Sequence, residues 1–288
     1  LQFWSLNGIT AYDEVRELQL LLVELRYQDL IPDTVLFLEH SDVVTRGRGL
    51  QFTGQLRERH IPLLQPIPSG MDLRESERGG DLTYHGPGQL VIYPIVKLDG
   101  SGFGPHHDIA GFLRRLESVL IAELGDFNLV ADARENATGV WVGAKKIASA
   151  GIAVRKWVTY HGIALNCVND LKPYHLISPC GFAPEVMTRL ADLVEGVGGV
   201  DPIDGVDRMS IGLGGDWRAR LENSIANRMA ALGGAANAER ALSGVTDAGV
   251  GSSTDGADSV RAVVERLDLI DCFSYVRNEY CFFNRLVR

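Results

Sequence analysis

Between Arg78 and Leu90 the chain reads Arg-Gly-Gly-Asp-Leu-Thr-Tyr-His-Gly-Pro-Gly-Gln-Leu, and an apolar run, Leu90-Val91-Ile92-Tyr93-Pro94-Ile95, follows at once. Glycine serves where the backbone must take a positive φ or approach another group closely, at a cost in conformational entropy. Four glycines and a proline beside Arg78, Tyr84 and His85 predict a loop shaped around a ligand and feeding a buried strand. A Gly-rich β-turn that only reverses the chain meets the same spacing, so this run alone leaves both readings open.

A second stretch decides between them. It holds Gly-Ala-Lys-Lys-Ile-Ala-Ser-Ala-Gly from Gly143 to Gly151, then His161-Gly162-Ile163-Ala164-Leu165-Asn166, then Ile177-Ser178-Pro179-Cys180-Gly181. In this order the set closely resembles the octanoyltransferases of lipoate biosynthesis, also called lipoyl(octanoyl) transferases, from about Leu6 to Trp217. Single elements such as HG or PCG are common by chance. RGGxxTYHGPGQL, KIAxxG, HGxALN and PCG together are specific. The chain departs from the family pattern around Arg46-Gly47-Arg48 and in a longer Pro-rich stretch before Arg78.

Composition bounds the reading without deciding it. Apolar residues are 45% and charged residues 23% of 288, ordinary for a globular chain with a core. The net charge of −9 argues against general nucleic-acid binding, which leaves a basic footprint. No run approaches the ~18 apolar residues of a membrane span, and no charged-then-apolar secretory leader opens the sequence. Cys167, Cys180, Cys272 and Cys281 form no CxxC pair, which disfavours a structural zinc or a dithiol redox centre. Reduced thiols in a cytoplasmic setting are the expectation.

Periodicity predicts an amphipathic helix over 11–30, ended near Pro32, and a buried strand at 35–39. The segment 45–78 reads as a long loop with one or two short strands. A helix follows at 108–124, then a meander of short strands at 139–142, 146–148, 151–156, 157–161 and 163–168. Further helices are expected at 184–195 and 216–231, the second capped by Asp216. Strand blocks without strict βαβ alternation indicate an α+β domain on a mixed, largely antiparallel sheet flanked by helices. The resemblance implies the same thing, the fold of biotin and lipoate protein ligases. Residues 1–232 form the expected catalytic domain. Residues 233–259, rich in Gly, Ala, Ser, Asp and Thr, read as a flexible linker. Residues 260–288 recover apolar content and read as a tail of unassigned role, with a short helix that docks back.

A thioester is already an activated acyl donor, so moving its acyl group to an amine needs a nucleophile, a base and oxyanion donors, but no ATP. A thiolate suits the first role, and a neighbouring cation lowers a thiol pKa from about 8.5. The resemblance implies Cys180 as the acyl-thioester nucleophile and Lys146 as its electrostatic partner. Lys145 and Lys146 face opposite ways on a strand, so only one reaches the site; the family pattern sets the lysine directly before Ile, which is Lys146. Cys167, within an apolar strand, reads as packing.

By the same resemblance, Arg78, Gly79, Gly80, Asp81, Leu82, Thr83, Tyr84 and His85 bind substrate, with Ser149, Ala150 and Gly151 and with Gly162, Ile163 and Ala164. His85 and His161 each precede a glycine. Such a unit can orient a thiol or an oxyanion, or simply hold loops together, and both readings stand. Small side chains fit a narrow slot for an eight-carbon chain, whose buried methylenes contribute about 0.8 kcal/mol each.

The expected activity is octanoyl transfer in lipoate biosynthesis and protein lipoylation, with no bound cofactor or metal. The donor is octanoyl on the phosphopantetheine of acyl carrier protein. Acceptors are lipoyl-domain proteins such as 2-oxoacid dehydrogenase E2 subunits and the glycine cleavage H protein. Neither nucleic acid nor membrane is an expected partner. Arg46, Arg48, Lys145, Arg155 and Lys156 are a candidate basic patch for the acidic carrier. The rival readings are an ATP-dependent lipoate or biotin ligase on the same fold, which leaves PCG unexplained, and a non-catalytic carrier- or lipoyl-domain-binding module.

Overall fold

The apolar run before Ile95 becomes the central strand of the protein. In the computed structural model, which describes residues 1–50, 63–135, 137–194, 217–233 and 273–275, strand β6 (Gln89–Ile95) is buried along its whole length. Its neighbours are β2 (Thr34–His40) and β10 (Val158–Asn166), both antiparallel to it. Side chains alternate between faces. Leu36, Leu38, Val91, Tyr93 and Ile95 therefore pack on one side, with helix α1 (Tyr12–Tyr27). Val35, Phe37, Leu90 and Ile92 pack on the other, with α2 (Ile109–Gly125) and α4 (Trp217–Leu232). A sheet covered on both faces can hold strands apolar on both faces, which is why β6 shows no polar alternation.

The main sheet is completed by β1 (Gln2–Thr10), β7 (Ala131–Arg134), β8 (Ala137–Val142), β9 (Lys145–Arg155) and β11 (Phe273–Tyr275), in the order β11-β1-β2-β6-β10-β9-β8-β7. Only β1 and β2 run parallel. A second sheet sets β3 (Val43–Leu50) between β4 (Asp72–Glu75) and β5 (Gly80–His85). The fold is thus α+β on a mixed, largely antiparallel sheet, as expected. Asp108 caps α2, its carboxylate accepting the Gly111 N–H at 2.8 Å. Among the described residues no helix is long and apolar enough to cross a membrane.

Several local expectations need correction. The five short strands expected between 139 and 168 are three, β8, β9 and β10, because Gly151 and Gly162 pair within β9 and β10 rather than breaking them. The break falls at Lys156-Trp157, both left-handed (φ 54° and 61°). That two-residue turn is anchored by Lys156 on Glu24 (3.1 Å) and by Trp157 stacked on His107 (4.0 Å).

The helix expected at 184–195 is reduced to a 3-10 turn (Pro184–Val186) and a short helix, α3 (Leu190–Val194). Between them the backbone is extended and joins β9, with Met187 bridged to Lys146 and the Thr188 N–H donating to the Lys146 carbonyl (3.0 Å). The segment 45–78 yields β3 and β4, and 51–62 lies outside the described residues. So do Asp216 and the expected linker beyond Gly233. In the tail, where a docking helix was expected, the described residues are a strand, β11, antiparallel to β1.

Candidate active site

Strand β5 leans against β9 at a point where no side chain intervenes. The Gly79 N–H donates to the Ile152 carbonyl at 2.9 Å, and a Cβ on Gly151 would lie 2.8 Å from the Gly79 oxygen. Gly162, across from Gly151, has no room either: its Cβ would stand 2.0 Å from the Ile92 oxygen. These close approaches border a cavity whose empty space, the open solvent at its mouth included, is about 470 Å³.

Arg78, Gly80, Leu82, Thr83 and His85 line the cavity from the β5 side. Ser149, Ala150 and Gly151 line it from β9, and His161, Gly162, Ile163 and Ala164 from β10. Three of the substrate-binding candidates stand outside the lining. Gly79 contributes its backbone contact to β9. Asp81 is buried. Tyr84 turns away between Thr83 and His85, packs on Tyr174 (5.5 Å) and donates to Asp42 (2.5 Å); burial, then the hydrogen bond to Asp42 and its charge, raise its pKa far above the usual phenol value.

Two lining residues escaped the sequence reading, Tyr12 at the start of α1 and Tyr93 on β6. Tyr93 shares a face with Val91 and Ile95, so alternation carried a signal for it. Tyr12 carried none, since its role depends on where α1 docks.

Arg78 is a buried staple. Its Nη2 donates to the Thr45 carbonyl (2.7 Å) and hydroxyl (2.9 Å), and its Nη1 to the Gly79 carbonyl (3.0 Å). That staple explains Gly47, where a Cβ would lie 2.4 Å from the Gly80 oxygen and 2.9 Å from Arg78 Nη1.

Both histidines of the motifs line the cavity and are held by hydrogen bonds. Gln89 Nε2 donates to the Tyr84 carbonyl and to Asn166 Oδ1, so its Oε1 is the acceptor at 2.7 Å from His85 Nδ1. His85 therefore carries its proton on Nδ1. His161 takes a left-handed backbone (φ 56°), gives its N–H to Gln19 (2.7 Å) and sits 3.3 Å from Glu77. Burial lowers the His85 pKa to about 3 and that of His161 as well, so both rings are neutral near pH 7. Glu77 is held ionised, far below the usual carboxylate range, by hydrogen bonds from His161 and then Arg16.

Lys146 is fully buried outside the lining, three residues along β9 from Ser149. Its Nζ lies 5.7 Å from the centroid of Trp141, and Trp141 also packs edge-on against Phe182 at 5.3 Å. Phe182 follows the 3-10 turn Pro179–Gly181, which packs against β5. The backbone of Cys180 thus sits in a turn between β5 and the Trp141–Lys146 pair; its side chain lies outside the described part of the structure. Lys145 points outward and donates to the Glu185 carbonyl at 2.6 Å. Cys167 is fully buried, and burial pushes its thiol pKa far up, consistent with packing.

Of the five residues considered for a basic patch, three are engaged with separate partners. Arg46 pairs with Glu75 (3.2 Å), Lys156 with Glu24 and Lys145 with a carbonyl, while Arg48 and Arg155 are exposed.

The chain matches the family model of the lipoyl protein ligase A/B catalytic domain over residues 11–204. It is 42% identical over 188 residues to an octanoyltransferase of Syntrophobacter fumaroxidans, covering 65% of this chain and 78% of that protein. To an octanoyltransferase of Thermobifida fusca it is 40% identical over 211 residues, covering 69% and 84%. Among solved structures it is similar to a bi-partite lipoate protein ligase of Thermoplasma acidophilum (TM-score 0.53, 17% identity, 80% of this chain and 82% of that one), a likeness of fold.

Proposed function

The chain belongs to the octanoyltransferases of the lipoyl protein ligase A/B catalytic-domain family, and from that premise we propose a two-step acyl transfer through Cys180. It is an acyltransferase of lipoate biosynthesis. In the proposed first step the Cys180 sulfur attacks an octanoyl thioester carried on the phosphopantetheine of acyl carrier protein, and the carrier thiol leaves. In the second, the amine of a specific lysine on a lipoyl-domain protein attacks the Cys180 thioester and releases the thiol. Such acceptors include 2-oxoacid dehydrogenase E2 subunits and the glycine cleavage H protein. The reading needs no resident cofactor and places the enzyme in the cytoplasm, where thiols stay reduced.

One observation carries it. A cavity whose wall includes Gly80, Gly151, Gly162, Ala150 and Ala164 shares strand β5 with the turn that holds Cys180 and strand β9 with a fully buried lysine. Eight carbons buried there contribute several kcal/mol, at about 0.8 kcal/mol per methylene. A cation close to the Cys180 turn favours the thiolate of a thiol held there.

The test is transfer of octanoyl from carrier protein to a lipoyl domain without ATP, followed by peptide mapping of the acceptor. ATP-independent modification of one lysine supports the reading. Dependence on ATP and free octanoate would mean a ligase, and binding without turnover would mean a recognition module.

A further inference from the structure

Thr83 and His85 stand two residues apart on β5 and face the cavity together. Thr83 is 7% exposed, and its hydroxyl is buried with no hydrogen-bond partner. Leaving a hydroxyl in that state costs roughly 1–3 kcal/mol. The cavity wall around it mixes apolar residues (Leu82, Ala150, Ile163 and Ala164) with the hydroxyl-bearing Ser149, Tyr12 and Tyr93. A buried hydroxyl without an acceptor, on a residue of the cavity wall, points to a ligand atom as the missing partner.

The turn Pro179–Gly181, whose backbone holds Cys180, packs on the same strand as Thr83 and His85. His85 cannot donate there, since its one proton is engaged with Gln89 and burial keeps the ring neutral. Thr83 supplies the donor that His85 does not.

We propose that the Thr83 hydroxyl is a catalytic residue that donates a hydrogen bond to the thioester carbonyl oxygen as it becomes an oxyanion; this rests on the acyl-transfer reading above. In the first half-reaction a bond forms between the Cys180 sulfur and the carbonyl carbon. The donor's carbon–sulfur bond then breaks, and the departing thiolate takes up the proton that the Cys180 thiol gave up. In the second, the acceptor nitrogen bonds to the same carbon, the Cys180 carbon–sulfur bond breaks, and the amine's proton passes to the released sulfur. The carbonyl oxygen bears transient negative charge in both, so one donor serves both steps.

Thr83→Val keeps the shape and removes the hydroxyl; Thr83→Ser keeps the hydroxyl. Rapid-quench measurement of Cys180 octanoylation should show a loss of about 100-fold or more in Thr83→Val and a large recovery in Thr83→Ser. Alkylation of Cys180 by iodoacetamide forms no oxyanion and should proceed at the wild-type rate in both. The melting temperature of Thr83→Val should equal or exceed that of the wild type, because no unpaired hydroxyl remains. Thr83→Ala provides the same comparison should Val disturb the fold.

Octanoylation within about threefold of wild type in a folded Val or Ala variant overturns the proposal. So does an equal slowing of alkylation, which would mean a disturbed pocket. Absence of any adduct in the wild-type protein would sink the covalent reading itself, and this proposal with it.

Discussion

The Cε atom of Lys146 lies 2.8 Å from the point where a Cβ on residue 139 would stand. Gly139 is glycine because the lysine stem fills its side-chain space, because the Ala148 oxygen lies 2.2 Å from the same point, and because its φ is +124°. Its N–H donates to Glu117 Oε1 at 2.7 Å, and Glu117, fully buried on α2, also pairs with Arg114 (2.6 Å). Burial raises the Glu117 pKa, and the charges of Arg114 and Lys146 oppose that rise. Lys146 is therefore seated by a backbone that tolerates only glycine and by a buried carboxylate nearby.

Gly139→Ala should force both the backbone and the lysine to move. Strain at a positive φ and overpacking together predict a loss of about 2–5 kcal/mol in urea unfolding, with slower octanoylation in the surviving folded fraction. Wild-type stability and rate in this variant would show that the lysine stem is not confined as described.

Lys146→Ala removes a cation beside the Cys180 turn. A nearby positive charge favours the thiolate, so its removal should move the midpoint of Cys180 alkylation up toward about pH 8.5. Alkylation followed from pH 5 to 10 would show the shift. An unchanged profile would assign the role elsewhere, with Lys145 an unpromising candidate because it is exposed on the far side of β9.

His40 adds a pH dependence of stability. It is fully buried, with Nε2 3.0 Å from the Tyr93 hydroxyl and Nδ1 3.2 Å from the Thr10 carbonyl, and burial lowers its pKa to about 4. His85 behaves alike, at about 3. Unfolding returns both rings to about 6.5, so below that pH the unfolded chain binds more protons than the native one. Stability should be complete above about pH 6.5 and fall as pH drops toward 4, by about 3 kcal/mol for His40. Glu77 adds its own loss only below about pH 4.5. Melting temperatures between pH 7.5 and 4.5 should therefore decline, less steeply in His40→Gln. Equal slopes in the two proteins would contradict this account of His40.

Much of this was legible from residue spacing, and the rest failed for identifiable reasons. The helices at α1 and α2 followed from apolar periodicity. Gly151 and Gly162 misled because glycine inside a strand looks like a break unless the close approach of Gly79 and of the Ile92 carbonyl is known. The helix expected at 184–195 failed because Met187 and Thr188 pair with β9, a long-range choice that local propensity does not encode. Within the cavity, motif position supplied Arg78 through His85 as a block, but only strand geometry separates Thr83 and His85, which face inward, from Tyr84, which does not. Tyr12 comes from a helix more than sixty residues away in sequence, out of reach of any local pattern.

The central claim is that Cys180 carries the acyl group. Intact-protein mass after incubation with octanoyl carrier protein, without ATP, tests it most directly. The wild type and Cys167→Ala should each gain one octanoyl group, mapped to Cys180 and discharged by adding a lipoyl domain. Cys180→Ala should gain none and transfer none. An adduct that persists in Cys180→Ala, or full transfer by that variant, would contradict the covalent mechanism.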